Sequence, residues 1–143
     1  KEVYGLAGIL HDLDYEQTKK TPCKHTLETA AILEKEGVRD DIIQAIKAHN
    51  EACGGVCESQ MDYALRAVDP TTGLIVAATL VLPDKKLKSL TVEFILKKFK
   101  SKSFAVGCDR NQIKSCEKLG YTIEDFFALC LKAMQRIDKE LGL

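Results

Sequence analysis

Apolar side chains recur at helical spacing along almost the whole chain, and no stretch alternates residue by residue as a half-buried strand does. The pattern predicts an all-α protein. Its starts and stops place the elements. A first helix runs from Glu2 into Leu10, and the polar stretch from Asp14 to Pro22 forms a loop. A second helix spans Lys24 to Glu36 and stops at Gly37, where a left-handed residue ends helices. Asp40 is placed to cap a third helix running to about Asn50, and Gly54-Gly55 opens the next loop. Ser59-x-x-Asp62 reads as a capping box for a long helix reaching Val81, with a kink or short break just after Asp69 because Pro70 follows. Further helices are expected at Thr91 to Lys100, at Arg110 to Leu119 ahead of Gly120, and from Ile123 to Leu141 behind Thr122-x-x-Asp125. The result is a single-domain compact helical bundle of about six to seven helices over residues 1–143, with no internal repeat.

Composition narrows the function classes. With 143 residues, 45% hydrophobic and 29% charged, the chain has room for one core and is neither disordered nor fibrous. Its 21 Lys+Arg and 21 Asp+Glu cancel, which excludes a wholly basic nucleic-acid binder and gives no clear nucleic-acid partner. The cancellation is uneven: residues 1–84 carry a net −6, residues 85–118 a net +7 and residues 119–143 a net −1. No run of about 18 apolar residues could span a bilayer and no signal-peptide pattern opens the chain, so a cytoplasmic protein without a membrane partner is expected. Six cysteines are accordingly read as free thiols. Lys1 is not an initiator Met and Glu2 already reads as helix interior, so upstream residues are expected to be missing.

The three histidines all lie on or beside apolar helical stripes. Ile42, Ala45 and Ile46 share a face with His49, which directs its imidazole inward. Below His11 and Asp12 the helix surface consists of Tyr4, Gly5, Ala7, Gly8 and Ile9, mostly small residues that let another element pack close. His25 stands over Thr29 and Ile32, and Asp69 has Leu65, Thr72, Gly73 and Val76 at helical offsets. An inward carboxylate must take up a proton, meet a cation or coordinate a metal. One metal centre would satisfy all five residues, and imidazole with carboxylate suits Mn, Fe, Co, Ni or Zn better than an all-oxygen calcium site. Taken singly, each histidine reads more simply as a satisfied core or cap residue, and Asp69 before Pro70 reads also as a cap for a helix restart.

The ordered string Gly5-Leu-Ala-Gly-Ile-Leu-His11-Asp12, then His25, then Ala48-His49-Asn50, then Ala67-Val-Asp69 resembles the HD-domain superfamily of metal-dependent phosphohydrolases. The likeness to a group of small bacterial HD proteins extends through Phe104-Ala105 and Asp109-Arg110. The resemblance implies a helical HD domain holding one or two divalent ions (Mn, Fe, Co, Ni, Mg or Zn). In it His11 and Asp12 form the naming doublet, with Asp12 able to bridge two ions. Asp69 would be the distal carboxylate ligand, and His25 and His49 would complete a second position. Two departures stand out: no histidine precedes His11, and Asn50 occupies a place where several two-metal members have another histidine.

The implied activity is hydrolysis of a phosphoester of a small molecule, nucleotides included, by a metal-activated water. Asp12 and Asp14 are the catalytic candidates, Asp14 as the group that orients the water, and Arg110 is the candidate for the substrate phosphate. Lys97, Lys98, Lys100 and Lys102 read more simply as a solvated face. The same ligand set without a histidine at Asn50 also suits di-iron oxygenases of the superfamily, and a non-catalytic metal- or nucleotide-binding module is a third reading. Cys53-x₃-Cys57 could supply half of a zinc site, against the usual two-residue spacing. Phe126, Phe127, Leu131, Met134 and Ile137 make the last helix either core or the surface of a homodimer.

Overall fold

The computed structural model describes residues 2–143, and among them it contains helices, 3-10 turns and loops but no strand. Six helices have nine residues or more: α1 (Glu2–Leu10), α3 (Leu27–Lys35), α4 (Asp40–His49), α5 (Gln60–Leu80), α6 (Val92–Lys100) and α8 (Ile123–Gln135). Between them lie single turns of helix at α2 (Tyr15–Thr18), α7 (Arg110–Ile113) and α9 (Asp138–Leu141). The chain divides into two compact units, Lys1–Arg66 and Ala67–Leu143, with the boundary inside α5.

In the first unit α1 and α3 both pack on α4. The reason is α4's composition: Ile42, Ile43, Ala45, Ile46, Ala48 and His49 are all buried. Burying each isoleucine side chain contributes about 1.5–3 kcal/mol. The small-residue surface of α1 is used only in part. Ala7 is buried, whereas a Cβ on Gly5 or Gly8 would meet nothing within 4 Å, so no element packs close against the glycines. Asp40 is the first residue of α4 and not its cap, the preceding position being Arg39. The α3 helix starts later than its periodicity suggests, because Pro22–Lys24 form a 3-10 turn and Thr26 takes a left-handed conformation (φ 80°) before Leu27.

The capping box at the start of α5 forms as expected. Asp62 accepts from the amides of Glu58 and Ser59 at 2.9 Å each, and Ser59 Oγ accepts from the Asp62 amide at 3.2 Å. No break follows Asp69: α5 continues through Pro70 to Leu80. Hydroxyls bracket the proline, Thr71 Oγ1 donating to the Ala67 carbonyl (2.7 Å) and Thr72 Oγ1 to the Asp69 carbonyl (2.8 Å).

In the second unit α6 packs on α8, and Phe127, fully buried, meets Phe99 edge-on at 5.4 Å. Phe126, Phe127, Leu131 and Met134 are buried within this unit's core, so they cannot also form a dimer surface; Ile137 alone of the predicted face is exposed. Two expected helices are shorter. That beginning at Arg110 tightens to 3-10 geometry over Lys114–Leu119, and the last is interrupted at Arg136 and Ile137.

Candidate metal centre

The ends of α1 and α4 deliver His11, Asp12 and His49 to one place. His11 and Asp12 follow Leu10 in the turn that leaves α1, and His49 is the last residue of α4. One ligand atom from each lies within 4.8 Å of the other two, a separation one cation could bridge. His25 borders this group from the end of the Pro22–Lys24 turn, its Nε2 3.2 Å from Asp12 Oδ1. His49 stands between the other two imidazoles, with ring centroids 5.1 Å from His11 and 5.2 Å from His25, both edge-on.

The hydrogen bonds on the far side of each ring decide what the rings present. His11 Nδ1 is 2.8 Å from the Gly8 carbonyl, His49 Nδ1 is 2.6 Å from the Ile46 carbonyl, and His25 Nδ1 is 2.7 Å from Asp14 Oδ1. Each partner accepts only, so each Nδ1 carries its proton and donates. Every neutral ring therefore exposes the lone pair of Nε2. His11 Nε2 lies 3.4 Å from Asp12 Oδ2, while His25 Nε2 approaches Oδ1 of the same carboxylate. Imidazole nitrogens and a carboxylate oxygen fit a borderline divalent cation such as Mn, Fe, Co, Ni or Zn.

Asp14 is placed to support this arrangement and not to meet substrate. It is 2% exposed, and its oxygens accept from the amides of Thr26 and Thr29 at 3.1 Å each, besides His25. Burial pushes its carboxyl up, but the amides of Thr29 and Thr26 and the His25 ring outweigh burial and hold it below the usual carboxylate range. Its carboxylate is occupied by the segment that carries His25, which makes it a positioning residue.

Asn50 is no metal ligand either. Its Nδ2 donates to the carbonyls of Pro22 (2.8 Å) and His25 (2.9 Å), and its Oδ1 accepts from the Ala52 amide (3.1 Å). Arg66, which the sequence did not single out, reaches back to the same region. Its guanidinium donates to the Ala48 carbonyl and to that of Gly55 (2.7 Å), and it pairs with Glu51 at 3.1 Å. The end of α4, and with it His49, is thereby tied down by a cation suited to a helix C-terminus. The available signal was an arginine beside Leu65, four residues after the buried Asp62.

The remaining candidates are described by their own surroundings. Asp69, the expected distal carboxylate, is half-buried on α5 in the second unit. Arg110, expected to meet a phosphate, donates instead to the carbonyls of Ala105 and Cys108 at 2.6 Å and to that of Phe104, closing the loop before α7. Its donors are spent on backbone. Cys53 and Cys57 do not converge: the Cys53 thiol rests on the carbonyls of Cys23 (2.6 Å) and His25 (3.1 Å), whereas Cys57 is buried near the Ala48 carbonyl. Lys98 lies over the rings of Phe94 and Phe104, and Lys88 pairs with Asp138. Among the described residues no helix is long and apolar enough to cross a membrane.

Compared with family models, curated proteins and solved structures, the chain matches none.

Proposed function

We propose that this chain is a metal-dependent phosphohydrolase of the HD type, acting on a phosphoester of a small molecule, nucleotides included. The observation that carries the reading is the shared state of the three imidazoles: each has its Nδ1 proton held by an acceptor, and the Nε2 atoms of His11 and His25 flank the two oxygens of Asp12. A core or capping histidine needs no such common orientation, whereas a set of ligands does. Bound there, a divalent cation supplies positive charge to the phosphoryl oxygens and a nucleophile at neutral pH. The chain's own part is to hold three imidazoles by their Nδ1 atoms, and one carboxylate, in place. Asp12, exposed on its outer side, offers one oxygen to the His11 side and the other to the His25 side, so one carboxylate can serve two adjacent positions.

The test is elemental analysis of protein purified without chelator, followed by assay of the Mn(II)-reloaded chain on phosphomonoesters and nucleotides. About one to two metal equivalents per chain are expected, with Asp12→Asn and His49→Gln reducing both content and turnover. Less than about 0.2 equivalents in the wild type would overturn the reading. A second reading draws on Asn50, whose amide is committed to the His25 segment and leaves no doubled histidine. That set also suits a di-iron centre that uses O₂. Dioxygen consumption by the anaerobically prepared iron form, with no phosphoester turnover in manganese, would replace the first reading by this one.

A further inference from the structure

The segment that carries His25 is held by a thiol as well as by Asn50 and Asp14. Cys53 Sγ lies 2.6 Å from the Cys23 carbonyl, 3.1 Å from the His25 carbonyl and 3.2 Å from Asn50 Nδ2. This contact joins two 3-10 turns, Pro22–Lys24 and Glu51–Cys53, across a separation of 30 residues. Each turn contains one cysteine. Cys23 is exposed and Cys53 half-buried, and both thiols are free.

We propose that Cys23 and Cys53 form a reversible disulfide under peroxide, a modification site that acts on the adjoining His25. A sulfur resting on the carbonyl of the other cysteine puts the two residues side by side, the first requirement of a disulfide. Forming the bond requires the two short 3-10 turns to adjust until the sulfurs meet. The exposed Cys23 meets the oxidant first: its sulfur attacks hydrogen peroxide, the O–O bond breaks, a sulfenic acid forms and water leaves. Cys53 Sγ then attacks that sulfur, the S–O bond breaks, and the departing hydroxide takes the Cys53 proton as a second water. Two thiols have lost two electrons and two protons to one peroxide, and a dithiol reductant reverses the change.

Three of the other four thiols are poorer targets. Cys57, Cys116 and Cys130 are buried, and burial pushes Cys116 up to about 11 and Cys130 to about 12, which leaves little thiolate at neutral pH. The effect on the site rests on the metal reading above and follows from the donors. Forming the S–S bond removes the Cys53 S–H that faces the carbonyls of Cys23 and His25 and pulls on the turn two residues before that histidine. Changes behind a ligand typically alter metal affinity about 10- to 100-fold, so oxidation is expected to weaken Mn(II) binding about tenfold.

The experiment treats the full chain with hydrogen peroxide, blocks residual thiols and maps tryptic peptides without reductant. The expected product links the peptide 21–24 to the peptide 48–66, with fragmentation at Gly54 to Val56 assigning the bond to Cys53 and not Cys57. The link should vanish in Cys53→Ser and on treatment with dithiothreitol. Mn(II), which avoids thiolate ligands, is then titrated into oxidised and reduced protein. Tenfold weaker binding after oxidation, restored by reductant and absent in Cys53→Ser, is the expected result. A Cys23 peptide that stays unlinked or joins another cysteine overturns the proposal, as does a linked protein whose Mn(II) affinity is unchanged. If the reduced protein binds no Mn(II), the metal reading fails, and the peptide map alone decides the modification.

Discussion

Asp14 and Thr26 show how much of the candidate site rests on residues that touch no ligand. Asp14 accepts three hydrogen bonds while 2% exposed, so Asp14→Ala strands the buried amides of Thr26 and Thr29 and removes the acceptor of His25 Nδ1. Each stranded donor costs about 1–3 kcal/mol, and a loss of about 3 kcal/mol is expected in urea unfolding. The ¹⁵N shifts of the His25 ring should also move away from a pure Nδ1–H tautomer, a change that general destabilisation would not produce. Thr26 is fully buried and held at φ 80°, a region costly for a β-branched side chain. The two bonds that impose this conformation are visible: its amide donates to Asp14 Oδ1 and its carbonyl accepts from the Ala30 amide at 2.9 Å. Thr26→Ala loses packing and keeps the strain, whereas Thr26→Gly loses slightly more packing and relieves it. Gly is therefore expected to be the more stable of the two by about 1 kcal/mol, the reverse of their order in a helix interior. Equal stabilities, or Ala the better, would show that the left-handed conformation stores no strain.

At the scale of elements, the ends of helices and not their middles set the site. The end of α4 turns back on itself so closely that a Cβ on Gly55 would stand 2.5 Å from the Lys47 carbonyl and 2.8 Å from those of Ala48 and Asn50. These are backbone atoms at the C-terminus of the helix bearing His49, so they cannot move aside without moving the histidine. Gly55→Ala is expected to destabilise by more than about 2 kcal/mol and to lower Mn(II) affinity, measured by denaturation and titration side by side. Helix existence was legible from periodicity and caps: Ser59 with Asp62 and Thr122 with Asp125 both form their bonds. Roles at helix ends were not, because they depend on which distant carbonyls an end meets. Arg110 is the clearest instance. Its sequence context invited a phosphate, yet the guanidinium's fork is filled by carbonyls of Phe104, Ala105 and Cys108. A lysine has neither the fork nor the number of donors, so Arg110→Lys should cost about 1–3 kcal/mol of stability and leave substrate KM unchanged. A raised KM at unaltered stability would restore the phosphate role.

Across the whole molecule the all-helical class was legible because periodicity is a local property of the chain, and His11, Asp12 and His49, singled out on their helical stripes, do form a group that could hold a metal ion. The division at Arg66 and Ala67 was not legible, since α5 runs unbroken through it and its sequence shows no linker. The second unit's core also contains two thiols, Cys116 and Cys130, and these make global stability depend on alkaline pH. Both are buried, and burial raises them from an ordinary 9.0 to about 11 and about 12. Above pH 9 the unfolded chain releases both protons while the folded chain retains them, so the unfolded state binds fewer protons and stability falls as pH rises. The fall should be up to about 1.4 kcal/mol per pH unit for each thiol. It ends near pH 11 for Cys116 and near pH 12 for Cys130, where the folded groups also ionise. Tyrosines and lysines titrate in the same range, so the test is a comparison in which they cancel. Cys130→Ala keeps an apolar side chain at the site and removes one of the two protons. Urea unfolding under reductant between pH 8 and pH 11 should give the variant the lower stability at pH 8 and the shallower alkaline slope, the two curves converging as pH rises. Parallel curves would mean that the Cys130 thiol ionises in the folded core as readily as in the unfolded chain.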